Sequence, residues 1–124
     1  MKGRMAADRD AVRAARNESL LRAYNEHVEE DRKRRRPSLA QWLCECADEN
    51  CAAPVTMSIE EYEAVRAYST RFLVAAGDEH VDPRIEHVVR REERYWIIEK
   101  IGIGAEVSEQ LDRRQSNGTS APGT

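Results

Sequence analysis

The chain has 124 residues, 40% of them hydrophobic and 35% charged, which suffices for one domain but not for two separate cores. Its net charge of −3 is uneven: residues 1–36 carry 11 cationic and 7 acidic side chains, a net of +4, and residues 37–124 carry a net of −7. No stretch approaches the roughly 20 apolar residues of a membrane span, and charges interrupt the place of a signal peptide, so we expect a cytoplasmic protein without a membrane segment.

The first predicted element is a helix over residues 8–35. Asp8 or Asp10 can cap its start, and Pro37 ends it because proline disfavours helical geometry in the preceding residue. A narrow, weakly apolar stripe recurs at helical spacing and consists of Ala14, Asn17, Leu21, Tyr24 and Val28. This stripe predicts either a helix laid on a body or a short coiled-coil seam with a polar register residue.

A run of five cations closes this helix, namely Arg32, Lys33, Arg34, Arg35 and Arg36. Such a run can contact nucleic-acid phosphates and gain affinity by counterion release. It is also typical of a helix end, where cations favour the negative end of the helix dipole. Because acidic residues precede the run and no aromatic residues interleave it, nucleic-acid binding is the alternative interpretation.

A hairpin is predicted next. A strand over residues 39–47 would place Cys44 and Cys46 on one face, because side chains alternate along a strand. Residues 54–57 would form the returning strand, and the polar residues 48–50 suit the turn between them.

A short helix and a short strand follow the hairpin. Ser58 and Glu61 match a capping box, in which each side chain bonds the backbone N–H of the other residue. This pattern predicts a helix to about Tyr68, and apolar β-formers predict a strand over residues 71–75.

The last part of the chain is expected to contain a helix, a strand and a further helix. Asp82 and Pro83 match a helix start, since proline is well tolerated at the first helical position. Residues 94–101 are the strongest strand signal, and apolar residues on both faces predict a central strand. A short helix is expected through Leu111. The expected buried side chains of the helix after Asp82 are Ile85, Val88 and Val89.

All three cysteines lie in LCECADENC, residues 43–51, with the spacing Cys-x-Cys-x4-Cys at Cys44, Cys46 and Cys51. One disulfide would leave a cysteine unpaired, and cytoplasmic thiols stay reduced. The neighbouring acidic residues disfavour burial of the cysteines in an apolar core. A metal site explains the cluster better, because Zn²⁺ takes four soft or borderline ligands in a tetrahedron. The pattern therefore predicts a metal site with three ligands from one hairpin; ordinary buried thiols and an iron–sulfur cluster are the alternatives.

A histidine can supply the fourth ligand. His80 follows Gly77 on a predicted loop that is free to approach the hairpin, whereas His87 and His27 fall in predicted helices. A ligand on a loop is easier to place than one on a surface helix, so His80 is favoured. His87 and His27 remain alternatives.

A metal would also reinforce a core that is expected to be small, because only 6% of the residues are aromatic. Structural zinc contributes roughly 10–16 kcal/mol of apparent binding energy in small peptides, against a net domain stability of about 5–15 kcal/mol. The expected fold is α+β, with a small antiparallel sheet, a β-ribbon zinc knuckle and short helices beside the long N-terminal helix. We expect a basic helix over residues 1–36, a zinc-knuckle domain over 37–114 and a disordered tail over 115–124.

Four segments, LCECADENC, SIEEYEAVRA, TRFLVAAGDEH and VVRREERYWIIEKIGIGAEV, carry a further signal. Together they resemble a family of small uncharacterised proteins common in actinobacteria, with a CEC-x4-C knuckle, a capped EYE-x-VR helix and an RY-x-VVEK-x-G strand. The resemblance covers about residues 12–112. It implies that Cys44, Cys46, Cys51 and His80 form a Cys3His site, and it implies no established activity.

These features favour a non-enzymatic protein. The sequence contains no HExxH motif and no glycine-rich phosphate loop, and four protein ligands would leave no open metal position. We expect a regulatory or adaptor module that acts through protein contacts, with a protein partner or a second copy bound through the N-terminal helix. The alternatives are a nucleic-acid-associated transcriptional regulator that uses the cation run, and a thiol-based redox or zinc sensor.

Overall fold

The computed structural model describes residues 2–35 and 38–114, with side chains described from residue 8 onward. Arg36 and the predicted tail over 115–124 lie outside the described residues. The predicted α+β class is confirmed. The elements in chain order are α1 (Lys2–Arg35), β1 (Ala40–Leu43), β2 (Pro54–Met57), α2 (Ile59–Arg66), β3 (Arg71–Val74), a 3-10 turn (Asp78–His80), β4 (Glu86–Arg91), β5 (Trp96–Lys100) and α3 (Gly102–Gln110).

The strands form two small antiparallel sheets. β1 pairs with β2 as the predicted hairpin, with Trp42 opposite Val55. The second sheet has the order β3-β5-β4, so the prediction of a central strand near residues 94–101 is confirmed. In this sheet the register between β4 and β5 shifts between Val88 and Arg90, which is a β-bulge.

The predicted helix after Asp82 is wrong, because this segment forms β4. The predicted helix start at Asp82 forms only one turn, in which the backbone N–H groups of Ile85 and Glu86 donate to the carbonyl of Asp82. The chain then extends, since the β-branched residues that follow can complete the ladder on β5. Pairing with the next strand, which begins after only four residues, thus overrides the helix signal.

The apolar core lies between the hairpin, α2 and the second sheet. Trp42 of β1 stacks on Tyr62 of α2, with ring centroids 4.1 Å apart and an interplanar angle of 6°. The predicted capping box sets the start of α2: the Ser58 N–H donates to Glu61 Oε1, and the Glu61 N–H donates to Ser58 Oγ. The core is thus built around aromatic side chains from two elements.

The long helix α1 docks on this body through a largely polar face. Tyr24, expected in the apolar stripe, is 54% exposed, and neighbouring Leu20 is 71% exposed. None of the described helices is both long and apolar enough to cross a membrane. The buried residues of α1 are Ala11, Ala14, Ala15, Glu18, Ser19, Arg22, Asn25 and Glu29.

A buried charge triad joins α1 to the second sheet. The Lys100 Nζ of β5 lies 2.7 Å from Glu18 Oε1 of α1 and 2.9 Å from Glu86 Oε1 of β4. All three side chains are fully buried, and Gly104 of α3 leaves room for the lysine, since a Cβ there would lie 3.1 Å from Lys100 Cε. Two acidic side chains therefore share one cation in a fully buried site.

A second charge network holds the carboxyl-terminal half of α1. Arg66 of α2 donates to Glu26 of α1 and to Asp112 after α3. Arg114 donates to Glu26, and also to Glu29 and Glu63. Asp112 and Arg114, which follow α3, thereby hold α1 against α2.

The triad predicts a pH-dependent stability that one substitution removes. Burial, followed by the nearby Glu86 carboxylate, raises the pKa of Glu18 well above its usual range, although Lys100 opposes this. The folded state thus keeps a proton that the unfolded state has lost, and its stability falls as the pH rises from the unfolded pKa of about 4.3 through the folded pKa. In Glu18→Gln this loss is absent. We therefore expect the free energy of unfolding of Glu18→Gln, minus that of the wild type, to increase as the pH rises. The increase should be up to about 1.4 kcal/mol per pH unit over that window.

Urea denaturation at a series of pH values measures this difference. Glu106→Gln, which changes an exposed glutamate on α3, is the matched control and should follow the wild-type pH dependence. A constant difference between Glu18→Gln and the wild type at every pH would contradict the prediction.

Candidate metal centre

The hairpin positions three cysteines at one end of the molecule. β1 ends at Leu43 rather than at the predicted residue 47, but the Cys44 N–H still donates to the carbonyl of Ala53. The predicted turn closes the loop, because the Cys51 N–H donates to the Asp48 carbonyl. Cys44 and Cys46 therefore leave β1 facing the returning Cys51.

The fourth residue comes from the loop after β3. Gly77 has a φ of 136°, a conformation that favours glycine, and its carbonyl accepts the N–H of His80 across the 3-10 turn. This turn brings the imidazole back to the hairpin. His80 Nδ1 lies 3.7 Å from the Cys44 sulfur and 3.6 Å from the Cys51 sulfur.

The four side chains have the spacing of a tetrahedral site. One ligand atom from each of Cys44, Cys46, Cys51 and His80 can be chosen so that all lie within 4.8 Å of one another. Zinc bonds of ~2.3 Å to sulfur and ~2.0 Å to nitrogen give a sulfur-to-nitrogen tetrahedron edge of about 3.5 Å. The two observed sulfur-to-nitrogen distances are close to that edge, so the Cys3His cluster is compatible with a bound metal.

Backbone N–H groups face the sulfur atoms. The Ala75 N–H donates to Cys44 Sγ at 3.3 Å. The N–H of Asp48 favours the thiolate of Cys46, and that of Ala53 favours the thiolate of Cys51. Such bonds stabilise negative charge on sulfur, which is the form that binds a metal.

The three thiols nevertheless differ in acidity. A hydrogen bond from Cys44 lowers the pKa of Cys46 to about 5, against the opposing effect of burial. The same hydrogen bond, with burial, raises the pKa of Cys44, and burial raises the pKa of Cys51. Without a cation the cluster therefore holds one thiolate and two thiols near neutral pH.

Burial of the site is deeper than the polar sequence around it indicates. Cys44 and Cys46 are 0% and 1% exposed, and Glu45 between them is also fully buried. Cys46 and His80 also line a surface depression of about 380 Å³. The apolar surroundings would strengthen any charge interaction inside the site.

The two alternative histidines lie outside the cluster. His87 is exposed on β4, opposite Glu99 of β5, because the segment is a strand rather than a helix. His27 is exposed on α1. Of the three histidines, the structure brings only His80 to the cysteines.

The described cations of the run form ion pairs with acidic residues of their own helix. Arg34 and Arg35 each lie 3.2 Å from Asp31, Arg32 lies 3.9 Å from it, and Lys33 lies 3.7 Å from Glu29. Nucleic-acid contact by this run stays a prediction.

The sequence did not reveal the contacts that two polar residues of α1 make with the cysteine segment. Asn25 and Asn17 of α1 bond the backbone of Leu43 and Cys46, and the Glu45 carboxylate accepts from Asn25. The signal was present, because Asn17 and Asn25 are eight residues apart and so share one side of a helix. Their partners, however, lie 18 to 29 residues away in sequence.

Comparisons with protein-family models, curated proteins and solved structures found no match for the chain. The resemblance to the actinobacterial family stays a prediction. The functional interpretation therefore depends on the chemistry of the cluster itself.

The unequal acidity of the thiols predicts the number of protons that metal binding releases. At pH 7 Cys46 is already a thiolate, whereas Cys44 and Cys51 must each lose a proton to coordinate, so we expect about two protons per ion. Calorimetric zinc titrations in buffers of different ionisation enthalpy measure this number. Cys51→Ser should lower it to about one, and a wild-type value of three would contradict the predicted thiolate.

Proposed function

We propose that this chain is a small, non-enzymatic zinc-binding module in which one structural zinc ion holds the fold, and which acts by binding protein. The observation that carries the proposal is the convergence of Cys44, Cys46, Cys51 and His80 from two separate loops. The reduced thiols that this role requires fit the predicted cytoplasmic location.

The donor set supports zinc as the ion. Three thiolates and one imidazole are soft or borderline ligands, and such ligands select zinc over calcium or magnesium, which prefer oxygen. Four protein ligands in a tetrahedron are typical of structural zinc sites, whereas catalytic sites keep one position for water or substrate. The closed set therefore supports a structural role for the ion and a protein without catalytic activity.

The position of the cluster supports the same role. It joins the loop between β1 and β2 to the turn that follows β3, two segments that 29 to 36 residues separate. Bringing distant segments together costs loop-closure entropy, and a metal that binds only the folded chain offsets this cost with its binding energy. Removal of the ion should then destabilise the whole domain.

Native mass spectrometry with and without a chelator tests this proposal. We expect one zinc ion per chain, lost in His80→Ala, together with a fall of about 10 °C or more in Tm, because a ligand at a thousand times its Kd stabilises by about 4 kcal/mol. His87→Ala and His27→Ala, which change histidines outside the cluster, should keep both the ion and the wild-type Tm. A metal-free protein with the same Tm in EDTA would overturn the proposal.

The outer face of α1, centred on Leu20 and Tyr24, is the surface that we assign to protein contact. These residues lie one turn apart and are the most exposed large apolar side chains of the described chain. Exposed Arg13 and Arg16 precede them, so the surface combines an apolar centre with exposed cationic neighbours, a composition suited to an interface. A second copy of the chain or another protein can bind there.

Self-association through this face is directly measurable. We expect a mass of about twice 14.2 kDa in sedimentation or light scattering, and a return to the mass of one chain in Leu20→Lys, because a charge at the apolar centre opposes its burial. Leu39→Lys, at an exposed leucine outside α1, is the matched control and should keep the dimer. A single-chain mass for the wild type would exclude the homodimer and leave a different protein as the partner.

A further inference from the structure

The backbone of the cysteine segment is held by α1, which supplies no ligand. The Asn25 Nδ2 donates to the Leu43 carbonyl at 3.0 Å, and the Leu43 N–H donates to Asn25 Oδ1 at 3.0 Å. One side-chain amide thus satisfies both backbone groups of Leu43, as a paired residue on a neighbouring strand would. It does so at the residue before Cys44.

Further hydrogen bonds fix the backbone and side chain of Glu45 and the carbonyl of Cys46, the second cysteine. Asn17 Nδ2 donates to the Cys46 carbonyl at 3.2 Å. Between the two asparagines, the buried Glu45 carboxylate accepts from Asn25 at 2.8 Å and from the Leu73 N–H at 3.1 Å. The Glu45 N–H also donates to the Leu73 carbonyl at 2.8 Å. Residues 43–46 are therefore fixed from α1 on one side and from β3 on the other.

This arrangement determines where the thiols point. Side chains alternate in an extended segment, so anchoring Glu45 toward α1 and β3 directs its two neighbours the other way. Those neighbours are Cys44 and Cys46, and the side they face holds His80 and Cys51. The orientation of two ligands thus depends on hydrogen bonds that α1 makes.

We propose that Asn25 and Asn17 are positioning residues of the metal centre, so that α1 sets its affinity and geometry from outside the ligand set. This inference rests on the proposed function, since it concerns the same site. Residues that orient metal ligands commonly change affinity by roughly 10- to 100-fold when replaced. The coupling is reciprocal: if the Asn17 and Asn25 contacts tighten metal binding by some factor, bound metal tightens those same contacts by that factor.

Competition against a chromophoric chelator measures zinc affinity in the variants. Asn25→Ala should bind zinc roughly 10-fold or more weakly, with a smaller loss in Asn17→Ala. Glu26→Ala is the control: it alters the adjacent residue of α1, and Glu26 contacts Arg66 and Arg114 instead of the cysteine segment. It should lower Tm but keep wild-type affinity. Equal affinity in Asn25→Ala and the wild type, or an equal loss in Asn25→Ala and Glu26→Ala, would overturn the inference.

Cobalt substitution separates positioning from general stability. The visible absorption of Co²⁺ depends on the geometry of its ligands, so the loaded Asn25→Ala protein should show shifted bands, whereas loaded Glu26→Ala should match the wild type. Asn17→Ala, whose contact is only partly buried, provides the same comparison if Asn25→Ala does not fold. Identical cobalt spectra in all variants would overturn the inference.

Hydrogen exchange of the wild-type protein tests the reverse direction of the coupling. Removal of zinc by EDTA should raise exchange more in residues 17–25 of α1 and residues 43–51 than in α2 and β5, where the rise reports only the general loss of stability. A rise in residues 17–25 no larger than that in α2 and β5 would overturn the inference. If native mass spectrometry shows no bound metal, the proposed function itself fails; if metal binds the wild type and Asn25→Ala equally, only this inference fails.

Discussion

Three sulfur atoms and one imidazole nitrogen within 4.8 Å of one another impose the main physical constraint on this molecule. A hydrogen bond between Cys44 and Cys46 lowers the pKa of Cys46 and raises that of Cys44, and burial raises the pKa of Cys51, so the cluster alone favours a single thiolate at Cys46. A divalent cation removes this limit, because it attracts every thiolate at once. The hairpin, the turn after β3 and the segment that α1 holds all meet at this point.

The seam between α1 and the body follows a different principle. Its contacts are buried ion pairs and amide hydrogen bonds, centred on Lys100, Arg22 and Asn25. Buried ion pairs add little net stability compared with apolar contacts, but loss of one partner costs about 3–5 kcal/mol because it strands a charge. Any shift of α1 along its axis would strand several groups at once. The polar seam therefore specifies one position of α1 more strongly than a smooth apolar face would.

Local chemistry was sufficient to predict several parts of the structure. The capping box at Ser58 and Glu61, the turn before Cys51 and the approach of His80 each depend on residues that are close in sequence. β4 was missed although its partner β5 follows after only four residues: Asp82 and Pro83 match a helix start, and pairing with β5 decides for the strand. The inner face of α1 was missed for a different reason: the spacing of its polar residues marks one side of the helix, but it does not identify Lys100 and Leu43, whose contacts bury Glu18 and Asn25.

The β-bulge in β4 has a consequence for how the molecule behaves among its own copies. β4 lies at the edge of its sheet, where unpaired backbone groups can recruit another chain. The irregular register at Val88 and Arg90 twists this edge, and the exposed Arg90 and Arg91 add cations to it. Neighbouring copies cannot extend the ladder in a flat, continuous array. The strand that local sequence favours as a helix thus carries two features that oppose fibril growth.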